Sequence, residues 1–97
     1  VVSAAWVRGA LKKQHWKLLT ATRALENICY VLACSEVSVR NIGCSRIVNP
    51  MGEVIAEAGD KDADLLFADL SHESLDSTRR VLPVLQNRRF ADPWLRR

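Results

Sequence analysis

Apolar and polar positions along this chain change period several times, and each change marks an element. Residues 1–6, Val-Val-Ser-Ala-Ala-Trp, are apolar with a single break, the pattern of a buried strand's end. A loop over 7–10 follows. From 11 to 28 the period becomes helical, because Leu18, Ala21, Leu25 and Ile28 fall at i, i+3, i+7 and i+10. Residues 29–34, Cys-Tyr-Val-Leu-Ala-Cys, make a short unbroken apolar run, which suits a strand covered on both faces. The polar stretch 35–43 reads as a loop. Two further short runs, 44–48 and 53–58, flank Asn49, Pro50, Met51 and Gly52. Proline fixes its own φ and glycine tolerates a positive one, so the tetrad predicts a tight reversal and a hairpin. Residues 65–70 predict one more strand. Ser71 is placed to cap a second helix, with Glu73 in its first turn and Arg79 and Arg80 in its last, charges that complement the helix dipole. Pro83 stops that helix. Residues 84–97 show no period and are expected to lie extended over a surface.

The order strand, helix, strands with a hairpin, helix gives one α/β unit: a sheet with helices packed on one face. Strands apolar on both sides need a second layer. The chain does not supply it, so residues before Val1 or another chain are expected to. A length of 97 residues leaves room for one domain, burying about 60–65% of the unfolded chain's surface. The hydrophobic share of 48% and charged share of 26% are ordinary for a globular protein. No apolar run approaches the roughly 20 residues that a bilayer requires, and no leader pattern opens the chain. Membrane partners are therefore not expected. Three cysteines are an odd count, which speaks against a disulfide framework and for a reducing, cytoplasmic setting.

Charge and candidate chemistry change this picture little. The net charge is +3, but Arg79, Arg80, Arg88, Arg89, Arg96 and Arg97 crowd the end. Arginines could neutralise phosphates. These come as separated pairs among Leu, Pro and Phe, with no nucleic-acid motif, so a solvated or subunit-facing tail is expected instead. Cys29, Cys34 and Cys44 with His15 or His72 match no zinc spacing, and no metal site is expected. Cys29 and Cys34 read as small buried hydrophobes. His15 reads as packing or capping. Arg8 reads as a solvated loop arginine, with bidentate contact to a substrate carboxylate as its sharper use. Arg23 and Glu26 stand one turn apart and can pair.

Three stretches carry a family resemblance. HWKLLTATRALEN (15–27), GCSRIVNPMGEVIAEAG (43–59) and RRVLPVLQNRRF (79–90) resemble, in order, consecutive signatures of the carbon–nitrogen hydrolase, or nitrilase, superfamily. SAAWVRG (3–9) and NIGCSRIVNP (41–50) resemble most closely its bacterial branch related to deaminated glutathione amidase. The resemblance implies an α-β-β-α sandwich of which this chain is roughly the last third. It implies hydrolysis of a small carboxylate-bearing amide by a Cys nucleophile, a Glu base and a Lys, all upstream of residue 1, without metal or organic cofactor. An ω-amide or N-carbamoyl substrate is the alternative, and an inactive remnant of the fold a further one. Within the chain no catalytic residue is expected. Ala5, Trp6 and Val7 would wall the acyl site, with Ser3 where relatives commonly carry proline. Arg23, Glu26 and Asn27 would support the site from behind, Glu26 partly buried on backbone groups, together with Gly43 and Ser45. The resemblance also implies a homodimer through the 11–28 helix. The tail would reach over the partner with Phe90 and Trp94.

Overall fold

Strand and helix alternate early in the chain, and the topology follows from that. In the computed structural model, which describes residues 1–90, the order is β1 (Val2–Ala4), α1 (Lys12–Asn27), β2 (Val31–Ser35), β3 (Arg46–Val48), β4 (Val54–Glu57) and α2 (His72–Val81). The strands form one sheet in the order β1-β2-β3-β4. A helical crossover makes β1 parallel to β2, with Val2 opposite Ala33. Short connections make β2–β3 and β3–β4 antiparallel, with Val31 opposite Val48 and Arg46 opposite Glu57.

Strand alternation divides the sheet into two unlike faces. Val31, Ala33 and Val48 point at α1 and join Trp16, Ala24, Ile42 and Cys44 in the core. On the far face Leu32 is half-buried and Cys34 exposed. Ile47, opposite Leu32 on that face, is buried, and Leu65 and Leu66 line a cleft with Leu32, Cys34 and Ile47, so the described residues cover the face in part. The consequence for Cys34 is a correction: it is not a buried hydrophobe here.

The predicted helix is present, and of its predicted stripe Ile28 is buried and Ala21 packs against the core, but Leu18 and Leu25 do not. Trp16, Thr20 and Ala24 face the sheet, and Ile28 continues the line beyond the last turn. Leu18 and Leu25 are exposed, at 57% and 43%. Thr20 can take a core position because its Oγ1–H donates to the Trp16 carbonyl at 2.8 Å, so the buried hydroxyl is satisfied within its own helix. Ile28 then ends α1 in the left-handed region at φ 46°.

The hairpin turn is built as its residues predict. Asn49 Oδ1 accepts the amides of Met51 and Glu53 at 3.0 and 2.9 Å, and Gly52 takes φ 81°. Ser71 caps α2 by accepting the Ser74 amide at 3.1 Å. Tyr30 and Arg79 dock that helix: the Ser71 amide donates to Tyr30 Oη, and Arg79 Nε to the Ile28 carbonyl.

Two expectations fail. Residues 65–70 form no strand, and Leu65 and Phe67 are 75% and 79% exposed. A strand needs a neighbour to satisfy its amides, and among the described residues no strand lies beside this segment. Residues 84–87 form a turn rather than an extended run, with the Asn87 amide donating to the Pro83 carbonyl. Phe90 is exposed, and Trp94 lies outside the described residues.

Candidate functional site

The chain leaves β1 through Ala5, Trp6 and Val7, and loops from three places gather around them. Ala5 and Val7 are exposed and Trp6 is half-buried. The Trp6 ring packs on Trp16 with centroids 5.5 Å apart at 43°. Its Nε1–H donates to the Lys12 carbonyl at 2.7 Å, and its own carbonyl accepts the Ile42 amide at 2.9 Å. Val7 bridges Asn41. The segment is thus anchored to the start of α1 on one side and to the β2–β3 loop on the other.

Arg8 is committed to backbone. Its Nε and Nη2 donate to the Ser38 carbonyl at 3.1 and 3.0 Å, and Nη2 also reaches the Asp60 carbonyl. Arg8 is thus an exposed loop arginine, as the first reading has it, with its guanidinium on backbone carbonyls rather than on a carboxylate. The Asp60 carboxylate meets Lys13 Nζ at 2.6 Å. That hydrogen bond and the opposite charge hold the Asp60 carboxyl below its ordinary value and raise Lys13 above its own.

Gly43 and Ser45 shape the other side. Gly43 sits at φ 64°, and a Cβ there would lie 2.7 Å from Val37 Cβ. Only glycine fits. Cys44 follows, also left-handed at φ 54°, with its amide on the Gly59 carbonyl at 3.0 Å and its carbonyl accepting Trp16 Nε1–H at 2.9 Å. Ser45 Oγ accepts the Ser35 amide at 2.9 Å and donates to the Ser35 carbonyl at 3.2 Å, tying the turn to β2. Gly43, Ser45, Cys34, Glu36 and Asp64 help to line a depression of about 290 Å³. Trp6 lies elsewhere, in a narrower groove of about 150 Å³ with Val2, Leu19 and Arg23. Trp6 of the predicted wall therefore shares a groove with Arg23 but not with Gly43 or Ser45, and the wall's backbone contacts run to Asn41 and Ile42, which precede Gly43 in the chain.

The R-A-x-E-N group takes an open position. Glu26 is exposed and pairs with Arg23, and Asn27 Nδ2 donates to the Arg23 carbonyl at 2.9 Å. In this chain Glu26 is not buried on backbone groups. The three cysteines are free; Cys44 is buried, and burial pushes its thiol up from the ordinary value. His15 is exposed in the first turn of α1 rather than packed. Among the described residues no group of His, Cys, Asp and Glu is placed to hold a metal ion.

Arg46 was not singled out in the sequence. It is buried at 5% exposure, with Nη1 on the Lys17 carbonyl at 2.8 Å and Nη2 on Glu57 at 3.1 Å. Glu57 also meets Lys17 Nζ at 3.0 Å. Arg46 Nε has no hydrogen-bond partner. The available signal was register: a hairpin turning at residues 49–52 sets Arg46 opposite Glu57.

Known proteins share this arrangement. The sequence profile of the carbon–nitrogen hydrolase family matches residues 1–80. The chain is 50% identical over 95 residues to the deaminated glutathione amidase of Escherichia coli O157:H7, covering 98% of this chain and 36% of that one. It is 37% identical over 81 residues to the omega-amidase Nit3 of Saccharomyces cerevisiae, covering 78% of this chain and 28% of that one. The crystal structure of Saccharomyces cerevisiae Nit3, a member of branch 10 of the nitrilase superfamily, matches with a TM-score of 0.74 at 33% identity. That match covers 87% of this chain and 33% of the other. The chain belongs to the carbon–nitrogen hydrolase family. It spans half or less of the length of the relatives it matches.

Proposed function

We propose that the protein carrying this chain is an amidase that cleaves the C–N bond of a small carboxylate-bearing amide, with deaminated glutathione as the preferred substrate. The observation that carries this reading is the 50% identity to a deaminated glutathione amidase, sustained over 98% of the chain. In the mechanism the family resemblance implies, a cysteine thiolate adds to the amide carbonyl and expels the amine. Water then hydrolyses the thioester and releases the acid. A glutamate moves the protons and a lysine stabilises the oxyanion. These three groups belong to the part of the protein outside residues 1–97. Ala5, Trp6 and Val7 contribute the pocket wall, held by the Ile42 amide on the Trp6 carbonyl, and Gly43 and Ser45 shape the turn that follows Ile42. No metal or organic cofactor is assigned to the reaction.

An ω-amide is the second reading, supported by the 37% identity to an omega-amidase. Supplying the complete protein with deaminated glutathione, an ω-amide and an N-carbamoyl amino acid, and following amine or ammonia release, separates these. Preferential turnover of deaminated glutathione is expected. Turnover of none identifies an inactive member of the fold.

A cytoplasmic setting fits three unpaired cysteines. A homodimer through α1 is supported by Leu11, Leu18 and Leu25, which lie exposed along that helix. Phe90 and Trp94 are assigned to the buried part of the same contact, and the arginine pairs of the tail to its polar rim.

A further inference from the structure

Trp16 is a core residue whose side chain contacts both Trp6 of the wall and the Gly43–Cys44 turn beside it. Its ring packs on the Trp6 ring, centroids 5.5 Å apart. Its Nε1–H donates to the Cys44 carbonyl at 2.9 Å. The Trp6 carbonyl in turn accepts the Ile42 amide at 2.9 Å. From Trp16 the path runs to Trp6, across that hydrogen bond to Ile42, along the chain through Gly43 to Cys44, and back to Trp16. This is a closed circuit with three non-covalent links. Trp16 supplies two of them.

The circuit has something to hold. Cys44 lies in the left-handed region at φ 54°, which a residue with a Cβ leaves unless its neighbours fix it. Trp6 sits at the end of a three-residue strand, and the residues on either side of it are exposed. Neither segment is rigid by its own secondary structure. Trp16 is 3% exposed on a sixteen-residue helix, so it is the fixed member against which both are set. The two links also need different chemistry. The stack needs an aromatic ring, and the hydrogen bond needs the indole N–H, so they can be cut separately.

We propose that Trp16 is a positioning residue of the acyl-site wall, fixing Trp6 against the Gly43–Cys44 turn by ring packing and by its indole N–H. This rests on the amidase reading for the identity of the wall as a substrate surface. It does not rest on that reading for the circuit itself.

The experiment uses the complete protein with Trp16→Phe, which keeps the ring and removes the N–H donor. Val48→Ala is the control, because it opens the same core without touching the circuit. Losing one neutral hydrogen bond should raise KM for deaminated glutathione about five-fold with little change in kcat. The control should melt at lower temperature yet keep the wild-type KM. Hydrogen exchange at the Ile42 and Cys44 amides should accelerate in Trp16→Phe beyond any change in the control. A KM and exchange pattern that follow stability alone, alike in both variants, would overturn the proposal. If the wild-type protein hydrolyses none of the amides, the amidase reading falls and exchange decides the circuit by itself. If Trp16→Phe does not fold, Trp6→Ala removes the ring packing and opens the circuit from its exposed side. Faster exchange at Ile42 and at the Trp16 indole N–H is then expected, and unchanged exchange there rejects the circuit.

Discussion

Gly43 shows how much one backbone angle can decide. At φ 64° with Val37 Cβ 2.7 Å from where a methyl would stand, Gly43→Ala combines left-handed strain with a clash. A loss of about 2–3 kcal/mol is expected in denaturant unfolding of the complete protein. Glu26 makes the opposite case. Its carboxylate is exposed and meets only Arg23 among the described residues, so Glu26→Ala should cost a few tenths of a kcal/mol, the scale of a surface pair. A loss above about 1 kcal/mol would mean that the rest of the protein buries it. Asp60 and Lys13 carry a pH dependence with a definite sign. The Asp60 carboxyl is depressed below its ordinary 3.8, so its contribution is complete above that value and is lost as pH falls through the folded value. Lys13 is raised above its ordinary 10.5, so its contribution is complete below that value and is lost as pH rises through the folded one. The tie is intact across neutral pH. Asp60→Asn should remove the acid-side loosening of this loop, read as hydrogen exchange near residue 60. Residue identity made Gly43 conspicuous in the sequence. It did not reveal the role of Arg8, because which carbonyls a guanidinium finds depends on loops 30 and 52 residues away.

At the scale of elements, α1 and the hairpin are joined by charge as well as by packing. Glu57 on β4 accepts from Arg46 at 3.1 Å and from Lys17 at 3.0 Å. Removing Glu57 leaves a buried guanidinium without its counter-charge. Glu57→Ala should therefore cost roughly 2–3 kcal/mol, below the full penalty of a buried pair because Glu57 keeps a third of its side chain in water. Lys17→Ala, at the exposed end of the same cluster, should cost a few tenths. The other face of α1 has a different test. Leu18 and Leu25 are exposed apolar residues on a charged helix, and the proposed dimer uses them. Leu18→Glu with Leu25→Glu should shift the complete protein from dimer to monomer in sedimentation velocity. Deleting residues 88–97 should weaken the dimer in the same direction. An unchanged dimer in both variants would remove α1 and the tail from the interface.

The whole molecule is governed by a sheet with one dressed face. Trp16, Thr20 and Ala24 cover one side, while on the other Ile47 is buried, Leu32 is half-buried and Cys34 is exposed, so that face is covered only in part among the described residues. An uncovered apolar sheet face is an aggregation liability. Residues 1–97 expressed alone should be insoluble or molten and should hydrolyse no amide. Cys34 reports on this directly. In the isolated chain an alkylating reagent should modify Cys34 quickly and the buried Cys44 slowly. In the complete protein Cys34 should be protected as well. Equal labelling of Cys34 in both would mean that no second layer covers this face.

The sequence by itself determined the parts whose physics is local: the order of elements, the Asn49–Gly52 reversal fixed by proline, glycine and an asparagine side chain, and the Ser71 cap. It also set the expectation of a second layer, since residues 29–34 are apolar throughout. Three family signatures in order added the superfamily. Tertiary structure decided what depends on partners distant in the chain. Thr20 displaced the leucines from the core face because a hydroxyl bonded within its helix can be buried at little cost. Arg46 became internal because hairpin register set it against Glu57. Residues 65–70 carry the composition of a strand and are not one here, because strands are made by their neighbours, and among the described residues none pairs with this segment.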